Sequence, residues 1–321
     1  MSENLVVFDL EMNQGYKPYP FDYEGTQQTF RGEVVQIGAA RIDRQFRVLE
    51  TFSITMKPRI FKKLHHHVAK VTGLTQEELN HGAPMKQGME AFLDWCGEDC
   101  TLLEWGLDDV PVLKQNLLLL GLPQAESFPG MWYDVQQMCA SQFPPQEGEK
   151  MNLEAVVERL ALPQERPFHD ALSDVLYTCE VGQRLDAEQA FDHYPSEESQ
   201  LKEALERRGP LLDFSYFQNR VELLAWRNEP EIYSGCCPDC GAPLELDDMA
   251  LKLGSNLWYT LGRCPDCGRE VFLQFKLSRR DGLHWSIGRG SRAVDEEGLA
   301  KWQKDRRAAE ARKKKAEEAG E

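Results

Sequence analysis

Three short acidic segments within the first 175 residues hold the side chains best suited to chemistry: Asp9 and Glu11 in Phe8-Asp9-Leu10-Glu11, Asp108 and Asp109 after Trp105-Gly106-Leu107, and His169, Asp170 and Asp174 in His169-Asp170-Ala171-Leu172-Ser173-Asp174. Leu5-Val6-Val7-Phe8 is a compact apolar, β-branched run that predicts a buried strand, and its period of two puts Asp9 and Glu11 on one face. Two carboxylates pointing the same way repel, so either one takes up a proton or a hard divalent cation sits between them. Alone, the Asp-x-Glu pattern also fits a strand end facing water.

The second segment lies between an expected strand, Thr101 to Trp105, and an expected helix from Asp109, with Pro111 tolerated in its first turn. Aspartate is a favoured helix N-cap, so one of Asp108 and Asp109 is expected to cap and the other is free to ligate. Spacing does not choose between them. In the third segment, Asp174 follows His169 by five residues, too far around a continuous helix for both to share a face. His169 is therefore expected in the turn before a helix, with Asp170 as N-cap and Asp174 in the first turns; the Pro163 to Pro167 stretch supports a loop there.

Taken together and in this order, the three segments resemble the DnaQ-like 3′-to-5′ exonucleases with the DEDDh signature, and within them the Eri/KapD-type branch. The branch likeness rests on Trp105-Gly106, on the extended segment between the first two strands, on Glu33-Val34-Val35-Gln36-Ile37-Gly38, and on Val71-Thr72-Gly73-Leu74-Thr75. It covers roughly residues 4 to 185. The resemblance implies a mixed α/β fold, a ribonuclease H-like sheet flanked by helices. It implies that Asp9, Glu11, Asp109 and Asp174 hold two Mg²⁺ or Mn²⁺ ions and that His169 is the general base. Asp109 is preferred to Asp108 because the family's second aspartate falls three residues after a glycine and four before a leucine, matching Gly106 and Leu113.

The mechanism so implied is hydrolysis of the terminal phosphodiester. Two ions activate water and steady the leaving oxygen, His169 takes the proton, and a nucleoside 5′-monophosphate is released. Magnesium or manganese suits an all-oxygen ligand set; zinc does not. Met12-Asn13 stands where the family often carries a threonine near the terminal nucleotide. Met12 and Trp105 are thus expected beside substrate. The Gln14 to Phe30 insert, read as a loop, adds Tyr16 and Tyr19, which could stack on bases at about 1 to 3 kcal/mol each. Its aromatics could equally pack the loop onto the domain. His65-His66-His67 reads as a solvated turn.

Further strands are expected over Glu33 to Asp43 and Leu49 to Met56. Amphipathic helices are expected near Met85 to Cys96, Asp109 to Leu120, Tyr133 to Ser141, Asn152 to Leu160 and Asp170 to Arg184. The second informative block is Cys237-Pro238-Asp239-Cys240 with Cys264-Pro265-Asp266-Cys267. Two Cys-x2-Cys knuckles, each followed by glycine, resemble a zinc ribbon in which four thiolates close one structural Zn²⁺ site. Cys236 is spare, and the symmetric spacing favours Cys237. A small hairpin is expected between and after the pairs.

The chain has 321 residues and a net charge of −16, which by itself argues against a polyanionic partner. The charge is uneven: residues 231 to 321 carry 16 acidic and 16 basic side chains, and Arg269 to Lys315 holds 14 basic and 7 acidic ones. The acidic part reads as the metal-dependent blade and the C-terminal part as a nucleic-acid grip, although a charged tail also fits a solvated, ion-paired helix. The organisation expected is an exonuclease domain over 1–190, a helical linker over 191–231, a zinc ribbon over 232–290 and a charged, partly basic tail over 291–321. No signal peptide or membrane span is expected, and nine cysteines with four in metal-like knuckles indicate a reducing cytoplasm. The leading reading is an exonuclease acting on single-stranded nucleic acid 3′ ends, RNA favoured. A non-catalytic nucleic-acid-binding adaptor and a polymerase-type proofreader compete with it, and the full set of carboxylates weighs against the adaptor.

Overall fold

The computed structural model describes residues 4–220, 225–279 and 282–319. The chain divides into two compact units, the first made of Met1–Tyr194 with Asp281–Leu283 and the second of Pro195–Arg280 with His284–Glu321.

In the first unit, β1 (Asn4–Asn13) is followed by a hairpin of β2 (Tyr19–Tyr23) and β3 (Thr26–Phe30), then β4 (Glu33–Ile42) and β5 (Val48–Lys57). Next come α1 (His66–Thr72), α2 (Gln76–His81), the short β6 (Ala83–Pro84), α3 (Met85–Cys96), β7 (Cys100–Glu104), α4 (Asp109–Leu119), β8 (Met131–Asp134), α5 (Val135–Gln142), α6 (Leu153–Arg159), α7 (Ala171–Gly182) and α8 (Ala187–Asp192). The sheet order is β6-β5-β4-β1-β7-β8. β4 runs antiparallel to β1 and β5, while β7 runs parallel to β1 and β8 parallel to β7. This is the expected mixed sheet flanked by helices. β1 sits at its centre because Val6, Val7 and Phe8 are buried on both faces, against Met89 and Phe92 of α3 on one side and Val175 and Cys179 of α7 on the other.

Close approach of α7 to the sheet depends on Gly38. A Cβ there would lie 2.3 Å from the carbonyl carbon of Ala171 and the nitrogen of Leu172, so any side chain on β4 at this point would push the helix start away. The same junction is pinned by Gln36, whose amide donates to Asp170 Oδ2 at 3.2 Å while its oxygen accepts from the Ala171 amide at 3.2 Å.

The Gln14 to Phe30 insert is a hairpin rather than a loop. Phe21, Tyr23 and Phe30 are buried by it. The segment from Tyr133 is likewise split, its first residues closing β8 before α5 begins at Val135. Of His65-His66-His67, read as a solvated turn, His66 and His67 are exposed but open α1, and His65 is buried as its N-cap. Asn13 Oδ1 accepts from the His65 amide at 2.9 Å, and His65 then caps α1 by accepting from the His67 amide.

Residues 191–231, read as a helical linker, contain α9 (Glu197–Glu206) and then β9 (Asp213–Arg220), an edge strand of the second unit. That unit adds β10 (Glu245–Leu246), β11 (Leu251–Gly254), β12 (Leu257–Arg263), β13 (Glu270–Ser278), β14 (Trp285–Ala293) and α10 (Glu296–Ala319). The antiparallel order is β10-β12-β13-β14-β9, with β11 paired to β12. The sheet is thus larger than the hairpin expected from the cysteine pairs. The charged tail forms α10 and is anchored by Trp302, 8% exposed, against Leu251, Tyr259 and Phe272, and by Tyr259 donating to Asp305 at 2.8 Å.

Candidate active site and cysteine centre

Asp9 and Glu11 project from the same face of β1, as strand alternation requires. α7 starts at Ala171 with Asp170 as its N-cap, accepting from the Ser173 amide at 3.0 Å and the Ser173 hydroxyl at 2.9 Å, which frees Asp174 one turn on to face the sheet. His169 stands just outside the helix in the left-handed region, with φ 63°, and its amide donates to Asp174 Oδ2 at 3.1 Å. A non-glycine residue so placed costs on the order of 1 to 3 kcal/mol, and here the contact with Asp174 holds it. One ligand atom from each of Glu11, His169 and Asp174 lies within 4.8 Å of the others.

Asp9 and Asp109 fall outside that tight set but share its field. Burial, and then the charges of Asp109, Asp174 and Asp170, raise the Asp9 carboxyl well above the ordinary range. Burial also raises Asp109, aided by Glu104, Glu11 and Asp108. Glu11 is pushed up to about 9 by burial and by Asp9, Asp174 and Asp170, and Asp174 to about 6 by burial. The Oδ1 atom of Asp174 is buried with no hydrogen-bond partner among the described residues. An all-oxygen set that resists carrying its own charge, with a buried acceptor left open, fits a hard divalent cation.

Neither Asp108 nor Asp109 caps α4 with its side chain. That work falls to Glu104 at the end of β7, fully buried, whose Oε2 accepts from the amides of Asp109 at 2.8 Å and Val110 at 3.3 Å. Asp108 turns outward, 90% exposed and 3.5 Å from Arg31, whereas Asp109 is buried in the acidic cluster. Of the two, Asp109 is the one placed beside the other buried carboxylates. Glu104 went unread because a glutamate five residues upstream of a helix has no local capping signature.

In the second unit, Cys237, Cys240, Cys264 and Cys267 converge. The sulfurs of Cys237 and Cys267 lie 3.5 Å apart, those of Cys240 and Cys264 3.4 Å, and those of Cys240 and Cys267 3.8 Å. A disulfide requires about 2.05 Å, whereas thiolates about 2.3 Å from a common ion sit near these separations. All nine cysteines are free thiols. Each knuckle closes through a glycine in the left-handed region: the Gly241 amide donates to Cys237 O at 2.9 Å and the Gly268 amide to Cys264 O at 3.0 Å. Burial raises the Cys237 thiol, but the amides of Cys240 and Asp239 and the neighbouring thiols outweigh it and bring the group down to about 7. Such a set fits zinc. Cys236 lies outside it.

A family profile described as exonuclease, of the RNase T type, matches residues 6–181, more than half of the chain. The chain belongs to this exonuclease family. A probable 3′-5′ exonuclease KapD of Bacillus subtilis (strain 168) is 27% identical over 124 residues, 38% of this chain and 57% of the relative, so the chain spans little more than half of that protein's length. Among solved structures, zinc-bound E. coli exonuclease I with single-stranded DNA has a TM-score of 0.50 at 16% identity, covering 81% of this chain and 54% of that one. The nuclease domain of 3′hExo, a DEDDh family member bound to rAMP, gives 0.47 at 17% identity, covering 57% of this chain and 91% of that one. At such identities the likeness to exonuclease I shows fold alone, the ribonuclease H-like mixed sheet.

The residues expected beside substrate are placed differently from one another. Trp105 is held by its indole N–H on Met151 O at 3.1 Å, and its ring packs between two parts of the core. Met12 is half-buried against the core cluster. Tyr19 meets Phe30 and Phe61 edge-on at 6.1 and 6.2 Å. Tyr16 is 67% exposed, with its ring 4.4 Å from that of His65 and its hydroxyl 3.3 Å from His66 Nδ1.

Proposed function

We propose that the protein is a 3′-to-5′ exonuclease that hydrolyses the terminal phosphodiester of single-stranded nucleic acid, RNA in preference, and releases nucleoside 5′-monophosphates. The observation that carries this reading is the gathering of Glu11, Asp174 and His169 within 4.8 Å, with the raised carboxyls of Asp9 and Asp109 acting on the same field. Asp9, Glu11, Asp109 and Asp174 would hold two Mg²⁺ or Mn²⁺ ions. Such ions supply charge neutralisation and Lewis-acid activation of water and phosphate oxygens.

The chain's own part begins with restraint. The amide of His169 is tied to Asp174, so the exposed imidazole stays beside the carboxylates while its outer side meets solvent. It accepts the proton from the attacking water and passes it to bulk solvent. Gln36 and Gly38 set the distance between β4 and the start of α7, and Glu104 sets the start of α4 and with it Asp109. Tyr16, backed by His65, offers an exposed ring face for an unpaired base.

The four thiols of the second unit would hold one structural Zn²⁺, and the free state of all nine cysteines supports a reducing cytoplasm. Among the described residues no helix is long and apolar enough to cross a membrane.

The preference for RNA rests on the branch resemblance. Matched RNA and DNA single strands in Mg²⁺ test it: nucleoside 5′-monophosphate is expected from RNA with kcat/KM about tenfold or more higher, a difference of about 1.4 kcal/mol. Equal or faster release from DNA would overturn the preference, and no release from either would overturn the nuclease reading.

A further inference from the structure

Part of the charge excess visible along the C-terminal sequence is compensated in the fold. Arg269 lies 3.7 Å from Asp239, and Lys301 2.5 Å from Asp305. Arg306 meets Asp247 at 2.6 Å, Asp248 at 2.9 Å, and Glu310. The Arg289 guanidinium is enclosed by the carbonyls of Glu231, Ile232 and Ser234 and the Ser215 hydroxyl. Asp305 and Glu310 lie one helical turn from their partners, while Asp239, Asp247, Asp248 and the carbonyls around Arg289 are brought from distant sequence, and these contacts fasten α10, the knuckle and the sheet.

Four other cations converge at the C-terminal end of α9. The helix lies close over β14 because Gly288 and Gly290 present no side chain; a Cβ at Gly288 would sit 3.0 Å from Leu201, and one at Gly290 2.9 Å from Leu211 and 3.3 Å from Leu205. Lys276 of β13 pairs across the sheet with Gly288, and its ammonium donates to Ser255 O at 3.1 Å. Arg208 reaches the same turn, its guanidinium 3.8 Å from the Cβ position of Gly254. Arg292 donates to the Leu205 carbonyl and, at 3.3 Å, to Gln274. Arg207 faces Glu203 at 3.2 Å, with both side chains well exposed.

That pair is the one carboxylate contact in the group among the described residues, and an exposed pair of this kind adds little. Arg208 has no ion pair among the described residues, and Lys276 and Arg292 are bonded to neutral oxygens alone. The strain of like charge shows in their proton affinities: Lys276 is lowered by burial and then by Arg207 and Arg208, and Arg292 by burial and then by Arg208. The partial negative charge of a helix C-terminus compensates only a fraction of this.

We propose that Arg207, Arg208, Lys276 and Arg292 form a contact surface for the phosphates of a single-stranded nucleic-acid backbone. The inference rests on the nuclease reading for the identity of the polyanion. The cations are spread along a helix end and two strands rather than closed around a single point, which suits successive phosphates along a chain. Guanidinium forks and an ammonium read charge and geometry rather than sequence, so this contact positions the strand without selecting bases.

The test is the salt dependence of binding by the full chain to a 5′-fluorescein single strand, with magnesium left out so that the strand stays intact. Each phosphate contact on a single strand contributes a slope of about −0.7 in log K against log salt. Arg208→Gln with Lys276→Gln is expected to make the slope shallower by about 1.4, so that between 50 and 200 mM salt the variant loses about sevenfold less affinity than the parent. Arg269→Gln with Lys301→Gln makes the same change in net charge at ion-paired positions and is expected to keep the parental slope. If Lys276→Gln disturbs the sheet, Arg207→Gln with Arg208→Gln, both on the helix surface, carries the same expectation. A parental slope in these variants beside salt-dependent binding by the parent overturns this surface and leaves the nuclease reading standing. A parent that neither binds nor, with magnesium, shortens the strand overturns both.

Discussion

Asp9→Asn and Asp174→Asn are each expected to lower nucleotide release in Mg²⁺ by about a thousandfold or more, because several kcal/mol of metal-derived charge stabilisation is lost and each 1.36 kcal/mol is about tenfold in rate. The amide keeps the carboxylate's volume, so the fold should survive. The same variants carry an opposite expectation for metal-free stability. Glu11 is raised to about 9 and Asp174 to about 6, each chiefly by burial. A carboxyl that binds its proton more tightly folded than unfolded contributes stability that is fully present below its unfolded value and is lost as pH rises through the folded one. Without metal, the parent should therefore melt progressively lower from about pH 5 to about pH 9. Either Asn variant removes one of the repelling charges and should melt above the parent at about pH 8, with a smaller gap at about pH 5.5. Added Mg²⁺ should raise the parent more than the variants. Near-parental nucleotide release by both variants would show that the acidic cluster is not the catalytic site.

His169→Ala is expected to reduce turnover by about 10² to 10⁴, the usual range for a lost general base, with Mg²⁺-induced stabilisation retained. Higher pH should restore part of the rate as hydroxide substitutes for base-assisted water. The backbone here has φ 63°, and its amide rather than its ring holds Asp174. His169→Asn is therefore the sharper variant, since asparagine tolerates the left-handed region and leaves the amide contact in place. Loss in both variants with partial recovery at high pH assigns the defect to the imidazole. An unchanged rate and pH profile in His169→Asn would remove the ring from the reaction.

The parts of the site that were legible in sequence are those governed by local periodicity. Strand alternation placed Asp9 and Glu11, and the argument from helix angle put His169 outside α7 and Asp174 within it, as the structure has them. The cysteine knuckles were legible because two residues between ligands leave a single tight turn with glycine after it. What escaped was set by contacts distant in sequence. Local propensity favoured an aspartate cap for α4, but buried Glu104 supplies a stronger acceptor from the preceding strand. Thr26 to Phe30 carries little strand patterning and becomes β3 only because its pairing with β2 buries Phe21, Tyr23 and Phe30. The basic window from Arg269 to Lys315 contains Lys276 and Arg292 but overstated the free charge for the same reason, since Asp239, Asp247 and Asp248 are close to its other arginines in space alone.

The most direct measurement follows, in Mg²⁺, the fate of single strands labelled at the 5′ end and carrying either a free 3′ hydroxyl or a blocked 3′ end. The free strand is expected to shorten from its 3′ end in single-nucleotide steps with release of nucleoside 5′-monophosphates, the blocked strand to persist, and chelation of Mg²⁺ to stop the reaction. Equal attack on the blocked strand, internal cleavage, or undiminished hydrolysis without a divalent ion would contradict a metal-dependent 3′-to-5′ exonuclease.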